Sequence, residues 1–252
     1  MPAFSANLGF LWTDRPLADA IRAAKVAGFD AVECHWPYDQ PLAEIQAALS
    51  DTGLKMLGLN TVRGPLNAGM AALPESVAQA REAIDQAIAY GSAIGAANVH
   101  IMAGQSAGQL AEATYLENLR YASELAAKHG ISILIEPLNP FDMPGYFLRD
   151  TLHAVELLEK LNLSNVKLMF DCYHVGRTEG DVLGRFDACL PFIGHVQFAA
   201  VPDRGPPDQG NVNYAEVFAH IDSCGWRTPL GAEYKVAGST EETLGWLTAF
   251  GS

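Results

Sequence analysis

Cysteine is scarce in this chain. Its four residues, Cys34, Cys172, Cys189 and Cys224, are widely scattered and form no CxxC pair, which removes a disulfide framework and a zinc knuckle from consideration. They read as small buried apolar side chains. Basic residues are also few, 16 against 29 acidic for a formal charge of −13. That balance opposes binding to nucleic acid or an anionic membrane, and an anionic small substrate would need local cations. No uninterrupted apolar run approaches the roughly 18 residues that cross a bilayer. The opening MPAFSANLGFLW lacks the basic start, apolar block and small-residue cleavage site of a secretory signal, which predicts a cytoplasmic protein. No GxGxxG or GxxxxGK[ST] follows the first strand-like run, so a nucleotide-binding open sheet loses its usual support.

What the chain does have is alternation. Eight strand-like runs, SANLGFL, AVECHW, LKMLGLN, NVHIMA, ISILIEP, VKLMFD, IGHVQFA and TPLGAEY, are separated by helical stretches beginning near Pro16, Pro41, Pro74, Ala111, Arg149, Glu179, Tyr214 and Ser239. Apolar residues recur at three and four in the helices, as in Ile84, Ala87 and Ile88, and Gly28, Gly53, Gly130 and Gly225 punctuate helix ends. Over 252 residues with no composition break, this pattern predicts a single domain, 1–252, folded as a (β/α)8 TIM barrel. A doubly wound open sheet is the alternative.

Four of the runs end on an oxygen donor: Glu136 after ISILI, Asp171 after VKLMF, Gln197 in IGHVQF and Glu233 in PLGAEY. In a barrel the functional groups gather at the C-terminal ends of the strands, so strands five to eight would direct these four side chains to one point. Three carboxylates and a carboxamide suit a hard cation, one Mg²⁺ or Mn²⁺, rather than a zinc–thiolate site. The long loop AVPDRGPPDQGNVNY after strand seven reads as a cover over that point.

The segments AGFDAVECHWPYD, VHIMAG, ILIEPLN, DCYHVGRTEGD, HVQFAAVPDRGPPDQGNVNY and GAEYK together resemble the hydroxypyruvate isomerase family, within the xylose-isomerase-like barrels. The resemblance runs from end to end. It implies a divalent-metal isomerase acting on a small anionic hydroxy-oxo acid, either hydroxypyruvate or a four-carbon 2-oxo-tetronate. By position, Glu136, Asp171, Gln197 and Glu233 match the family's metal ligands, and Glu136 and Glu233 match its acid/base pair. Related ketose epimerases carry His where this chain has Gln197.

Moving a carbonyl to the neighbouring carbon requires removing one proton and returning another through an enediolate. Glu136 and Glu233, from separated strands, could approach such an intermediate from opposite faces. His174, three residues past Asp171 on a βα loop, could donate to a substrate oxygen. Arg204 and Lys235 are candidates to pair with a substrate carboxylate, Arg204 preferred for its two-pronged grip. His100 and Glu33 also point to the rim, His195 reads as a deeper core or supporting residue, and Trp12, Trp36 and Tyr38 could wall the mouth or pack loops. Rival readings are a ketose 3-epimerase, a polyol dehydratase, a DNA phosphodiesterase, which the negative charge disfavours, and a non-catalytic sugar-binding barrel. A homo-oligomer is compatible with all of these.

Overall fold

Short runs rich in Ile, Val, Leu and Phe, buried on both faces, are what a parallel sheet covered by helices requires. In the computed structural model, which describes residues 2–250, they form nine parallel strands. These are β1 (Phe4–Asn7), β2 (Ala31–Glu33), β3 (Lys55–Met56), β4 (Gly58–Asn60), β5 (Asn98–His100), β6 (Ser132–Ile135), β7 (Val166–Asp171), β8 (Ile193–Phe198) and β9 (Leu230–Ala232). They pair in the order β3-β2-β1-β9-β8-β7-β6-β5-β4. The run LKMLGLN is broken at Leu57, so β3 and β4 are two halves of one barrel strand. Leu57 N–H donates to Val32, Cys34 N–H to Gly58, and Asn60 N–H to His35, which joins the two ends of that order and closes an eight-stranded (β/α)8 barrel.

Register decides which side chains meet at the mouth. Asn7 lies opposite Glu33 on β1 and β2, Asp171 opposite Gln197 on β7 and β8, and Gln197 opposite Gly231 on β8 and β9. The β7–β8 ladder shifts between Leu168 and Met169, a bulge of the kind that re-aims side chains near functional sites.

Most helices begin close to where the sequence places them; the one expected near Glu179 begins at Val182, and that near Ser239 at Gly245 after a 3-10 turn. The helix expected near Ala111 starts earlier, at Gly108. An additional helix, Cys172–Thr178, begins immediately after β7. Asp171 caps it by accepting from Tyr173 N–H at 2.8 Å, a strand-end carboxylate serving as an N-cap. The D-x-Y-H segment is therefore the first turn of a helix and not a loop, because the cap shortens the turn between strand and helix to nothing. Outside the barrel, Phe4, Phe198, Phe218 and Trp246 stack edge-on at 4.9–5.7 Å, fixing the closing strands to the last helices. No helix among the described residues is long and apolar enough to cross a membrane.

Candidate active site

Glu136, Asp171, Gln197 and Glu233 all stand at the mouth and all are buried. They meet a second tier of polar residues beneath them. Glu33 Oε1 accepts from Asn7 Nδ2 at 3.0 Å and from Gln197 Nε2 at 2.8 Å, and Glu33 Oε2 lies 2.5 Å from His195 Nε2. Glu33 thus supports the site from below and does not stand open at the rim, and His195 holds Glu33. A carboxylate oxygen accepts, so the nitrogen end of the Gln197 amide is the end turned to Glu33. Gln197 Oε1 then faces the mouth, buried and without a hydrogen-bond partner. Gly231 makes room for this pair, since a Cβ there would lie 2.5 Å from Glu33 Oε1 and 2.9 Å from Gln197 Cγ.

Asp171 leaves an equivalent atom. Its Oδ1 is used by the Tyr173 cap, while Oδ2 is buried and without a hydrogen bond. Two orphaned oxygens on adjacent, registered strands, with Glu136 and Glu233 beside them, are the donor set a hard cation requires. These four residues could hold one. Glu136, Asp171 and His174 also present ligand-type atoms within 4.8 Å of one another, but His174 is ill suited to the task. Its Nδ1 accepts from the Asn139 backbone N–H at 3.0 Å, with Asn139 Nδ2 at 2.8 Å. Burial, then the Arg204 charge, pushes His174 down to about 3. The imidazole is neutral with its proton on Nε2, which stands 3.6 Å from Asp171 Oδ2 and 3.9 Å from Glu136 Oε1. Because the Asn139 N–H holds Nδ1 as an acceptor, the proton is kept on Nε2, which donates and does not ligate.

The two glutamates are driven apart. Burial raises Glu136 well above the ordinary carboxylate range, and the Glu233 and Asp171 charges add to it. Burial acts on Glu233 in the same sense but is outweighed by the Arg204 guanidinium and by His35, leaving it at about 2. Arg204 Nη2 lies 2.6 Å from Glu233 Oε2 and 3.8 Å from Asp171 Oδ2. Its guanidinium sits between the rings of Phe10 and Tyr173, 4.7 and 4.9 Å from their centroids, and its Nε has no hydrogen bond. The backbone aids this reach, because Arg204 adopts φ 57° within the strand-seven loop. His100 Nδ1 is 3.6 Å from Glu136 Oε2, and burial pushes that imidazole down to about 3.

Lys235 is not brought to this cluster. Its side chain is exposed, and only its backbone N–H participates, donating to the Arg204 carbonyl at 2.7 Å. Alternation alone would put Lys235, two residues past Glu233, on the same face, but β9 ends at Ala232, so that periodicity no longer holds at Lys235. Trp12 packs loops: it is buried, and its indole donates to Glu241 at 2.8 Å. Trp36 is half-buried, tilts against His35 at 4.8 Å and lies under Arg63, whereas Tyr38 donates to the Asn60 carbonyl.

Sequence reasoning missed His35, Asn7 and Asn139. His35 Nε2 lies 2.9 Å from Glu233 Oε1, and Asn7 Nδ2 donates to the same oxygen at 3.1 Å. A signal for His35 existed, since it follows Glu33 by two and strand alternation puts both on one face. Its ring needs Gly9, where a Cβ would lie 2.1 Å from His35 Nδ1.

A parallel barrel that collects carboxylates and neutral imidazoles at the C-terminal ends of its strands has the arrangement of a TIM-barrel enzyme. The model of the xylose isomerase-like TIM barrel family matches residues 21–250, and the chain belongs to that family. It is 38% identical to the 2-oxo-tetronate isomerase of Cupriavidus necator, over 99% of each chain. It is 34% identical to the hydroxypyruvate isomerase of Escherichia coli, over 99% of this chain and 100% of that one. A solved structure from Brucella melitensis described as a family 2 AP endonuclease superposes with a TM-score of 0.94 at 37% identity, covering 99% of both chains. With relatives of this identity and coverage, the chain is an isomerase.

Proposed function

We propose that the protein interconverts a small 2-oxo-3-hydroxy acid and its 2-hydroxy-3-oxo isomer, with hydroxypyruvate and 2-oxo-tetronate as the candidate substrates. One Mg²⁺ or Mn²⁺ would be held by Glu136, Asp171, Gln197 and Glu233. When bound, the cation supplies charge stabilisation for the two substrate oxygens. The observation that carries the reading is geometric: Glu136, Asp171, Gln197 and Glu233 converge, all buried, at one point of the mouth, with Asp171 Oδ2 and Gln197 Oε1 left without hydrogen-bond partners.

Glu233 removes the proton from C3 of the 2-oxo-3-hydroxy acid, giving the enediolate. Glu136 returns a proton to C2, the hydroxyl proton moves from the C3 oxygen to the C2 oxygen, and Glu233 then loses its proton to solvent while Glu136 regains one, so substrate and enzyme both balance. At about 2 Glu233 is a weak base, and a base works best nearer the operating pH. Arg204 resolves this. A substrate carboxylate that draws the guanidinium away from Glu233 Oε2 removes the charge that outweighs burial there, and Glu233 becomes basic only when substrate is seated. His174 Nε2–H then donates to a substrate oxygen.

The test is direct assay of both acids with Mg²⁺ or Mn²⁺, following isomer formation and solvent deuterium in the product. The likeness to the Brucella melitensis protein makes incision of abasic-site DNA the control. Incision without isomerisation would overturn this reading. The charge of −13 opposes that result.

A further inference from the structure

At the far end of the barrel from the mouth, a second group of donors converges. Asp187 comes from helix Val182–Cys189, His220 from helix Tyr214–Ser223, and Cys224 from the residue that ends the latter. Helices in this fold run back from the mouth, so the C-terminal end of Tyr214–Ser223 lies beside the start of β9. His220 Nε2 is 2.6 Å from Asp187 Oδ1 and 3.7 Å from Cys224 Sγ, and the three donor atoms all lie within 4.8 Å of one another. Phe186 stands edge-on to the imidazole at 6.2 Å.

Carboxylate, imidazole and thiol in contact suggest a nucleophilic triad, but the geometry excludes one. A triad needs the carboxylate on one ring nitrogen and the thiol on the other. Here both face Nε2. The ring proton on Nε2 makes the hydrogen bond to Asp187 Oδ1, and once it shifts to Nδ1 three lone-pair donors converge on one point and form a chelate instead. With metal–nitrogen and metal–sulfur distances near 2.0 and 2.3 Å at a tetrahedral angle, N and S would stand about 3.5 Å apart, and the helix already holds them at 3.7 Å. The i, i+4 spacing of His220 and Cys224 places both on one helix face. The Asp187 side chain, 56% exposed, has room to withdraw from hydrogen-bond to ligand distance.

We infer that Asp187, His220 and Cys224 form a surface site for a borderline divalent ion of the zinc type, with water as the remaining ligand. The mixed sulfur, nitrogen and oxygen set selects Zn²⁺ or Co²⁺ over the hard cation suited to the mouth. Bound metal ties helix Val182–Cys189 to helix Tyr214–Ser223, and binding releases the Cys224 thiol proton to solvent. The inference stands independently of the proposed reaction.

The test is titration of Co²⁺ into metal-stripped protein held in excess Mg²⁺ and a non-thiol reductant, read by the thiolate-to-cobalt absorption. Cys34, Cys172 and Cys189 are buried and Cys224 is exposed, so the band reports this site. It is expected in the wild type, absent in Cys224→Ser, and lost or shifted to far higher Co²⁺ concentration in His220→Ala and Asp187→Asn. Zn²⁺ should raise the melting temperature of the wild type and not that of Cys224→Ser. A band that persists in Cys224→Ser, or that titrates unchanged in His220→Ala, overturns the inference, the latter by reducing the site to a bare surface thiol.

Discussion

Glu33 and Gln197 are joined by one hydrogen bond of 2.8 Å from the Gln197 amide nitrogen to Glu33 Oε1, and that bond decides which end of the amide faces the active site. The opposite end, Oε1, is buried and unpartnered. Glu33→Gln should therefore loosen cation binding although no proposed ligand is altered. A glutamine at 33 can offer its own N–H to Gln197 and turn the amide over. Loss of a supporting partner of this kind costs about 10- to 100-fold in metal affinity. Mn²⁺ titration checks it, and an unchanged affinity in Glu33→Gln would show that the amide needs no such anchor.

Removing a ligand should have the larger effect. Asp171 Oδ2 is the buried orphan on β7, and Asp171→Ala is expected to abolish tight Mn²⁺ binding. The same variant loses the helix cap to Tyr173 N–H, at a cost of about 1 kcal/mol, so the fold survives. Tight Mn²⁺ binding in folded Asp171→Ala protein would remove Asp171 from the donor set.

Much of this site was readable from residue types at strand ends, because a parallel barrel turns one end of every strand into a rim. Glu136, Asp171, Gln197 and Glu233 needed only that rule. The second tier was harder to see. The roles of Glu33 and His195 depend on register between β2 and β8, which are not neighbours in the sheet, and no local pattern encodes a contact across the barrel. Arg204 was visible as a cation in the right loop, but its contact with Glu233 depends on a left-handed backbone at a non-glycine residue, which composition does not announce. Lys235 stands exposed because the strand ends at Ala232, before the alternation that would bring it in with Glu233 can reach it.

The pH dependence of the metal-free protein follows from Asp171. Burial and then the Glu233 charge raise it from 3.8 to about 7, against the opposing Arg204. A folded value above the unfolded one means that the fold favours the protonated form. That stabilisation is full below about 4 and lost as pH rises through 7, on the order of a few kcal/mol. Glu136 acts in the same direction. Glu233 acts oppositely, contributing above about 4.5 and losing its contribution only towards 2. With chelator present, the melting temperature should fall between pH 4 and 7, less steeply in Asp171→Asn. A rise over that window in the wild type would contradict the assignment.

Arg204 is expected to act on binding and on base strength together. Arg204→Ala should raise KM through loss of the carboxylate partner, and should also change the pH profile of kcat/KM. Without the guanidinium Glu233 keeps the burial that raises it but loses the charge that outweighs it, so the acid-side limb of activity, below which the base is protonated, should move to higher pH. Arg204→Lys, which keeps a charge but cannot grip with two prongs, should restore the limb more than the KM. If Arg204→Ala raises KM and leaves the profile in place, Arg204 binds substrate and does not govern Glu233.

The strongest test concerns the protons themselves. Glu136 and Glu233 come from β6 and β9, which are not adjacent in the barrel, so the two carboxyl groups can flank a planar enediolate. Glu136→Gln and Glu233→Gln each keep an oxygen that can serve a cation while removing the group that accepts or donates a proton. Turnover should fall by about 10² to 10⁴ in each, the usual worth of general acid–base catalysis, and Mn²⁺ should still bind. In D₂O the wild-type product should carry deuterium at C2, since Glu136 exchanges with solvent before returning its proton. A hydride passing directly between C3 and C2 would need neither glutamate as a base and would leave the product unlabelled. Near-normal turnover in both Gln variants with no label would therefore replace proton transfer by a hydride shift on the same rim.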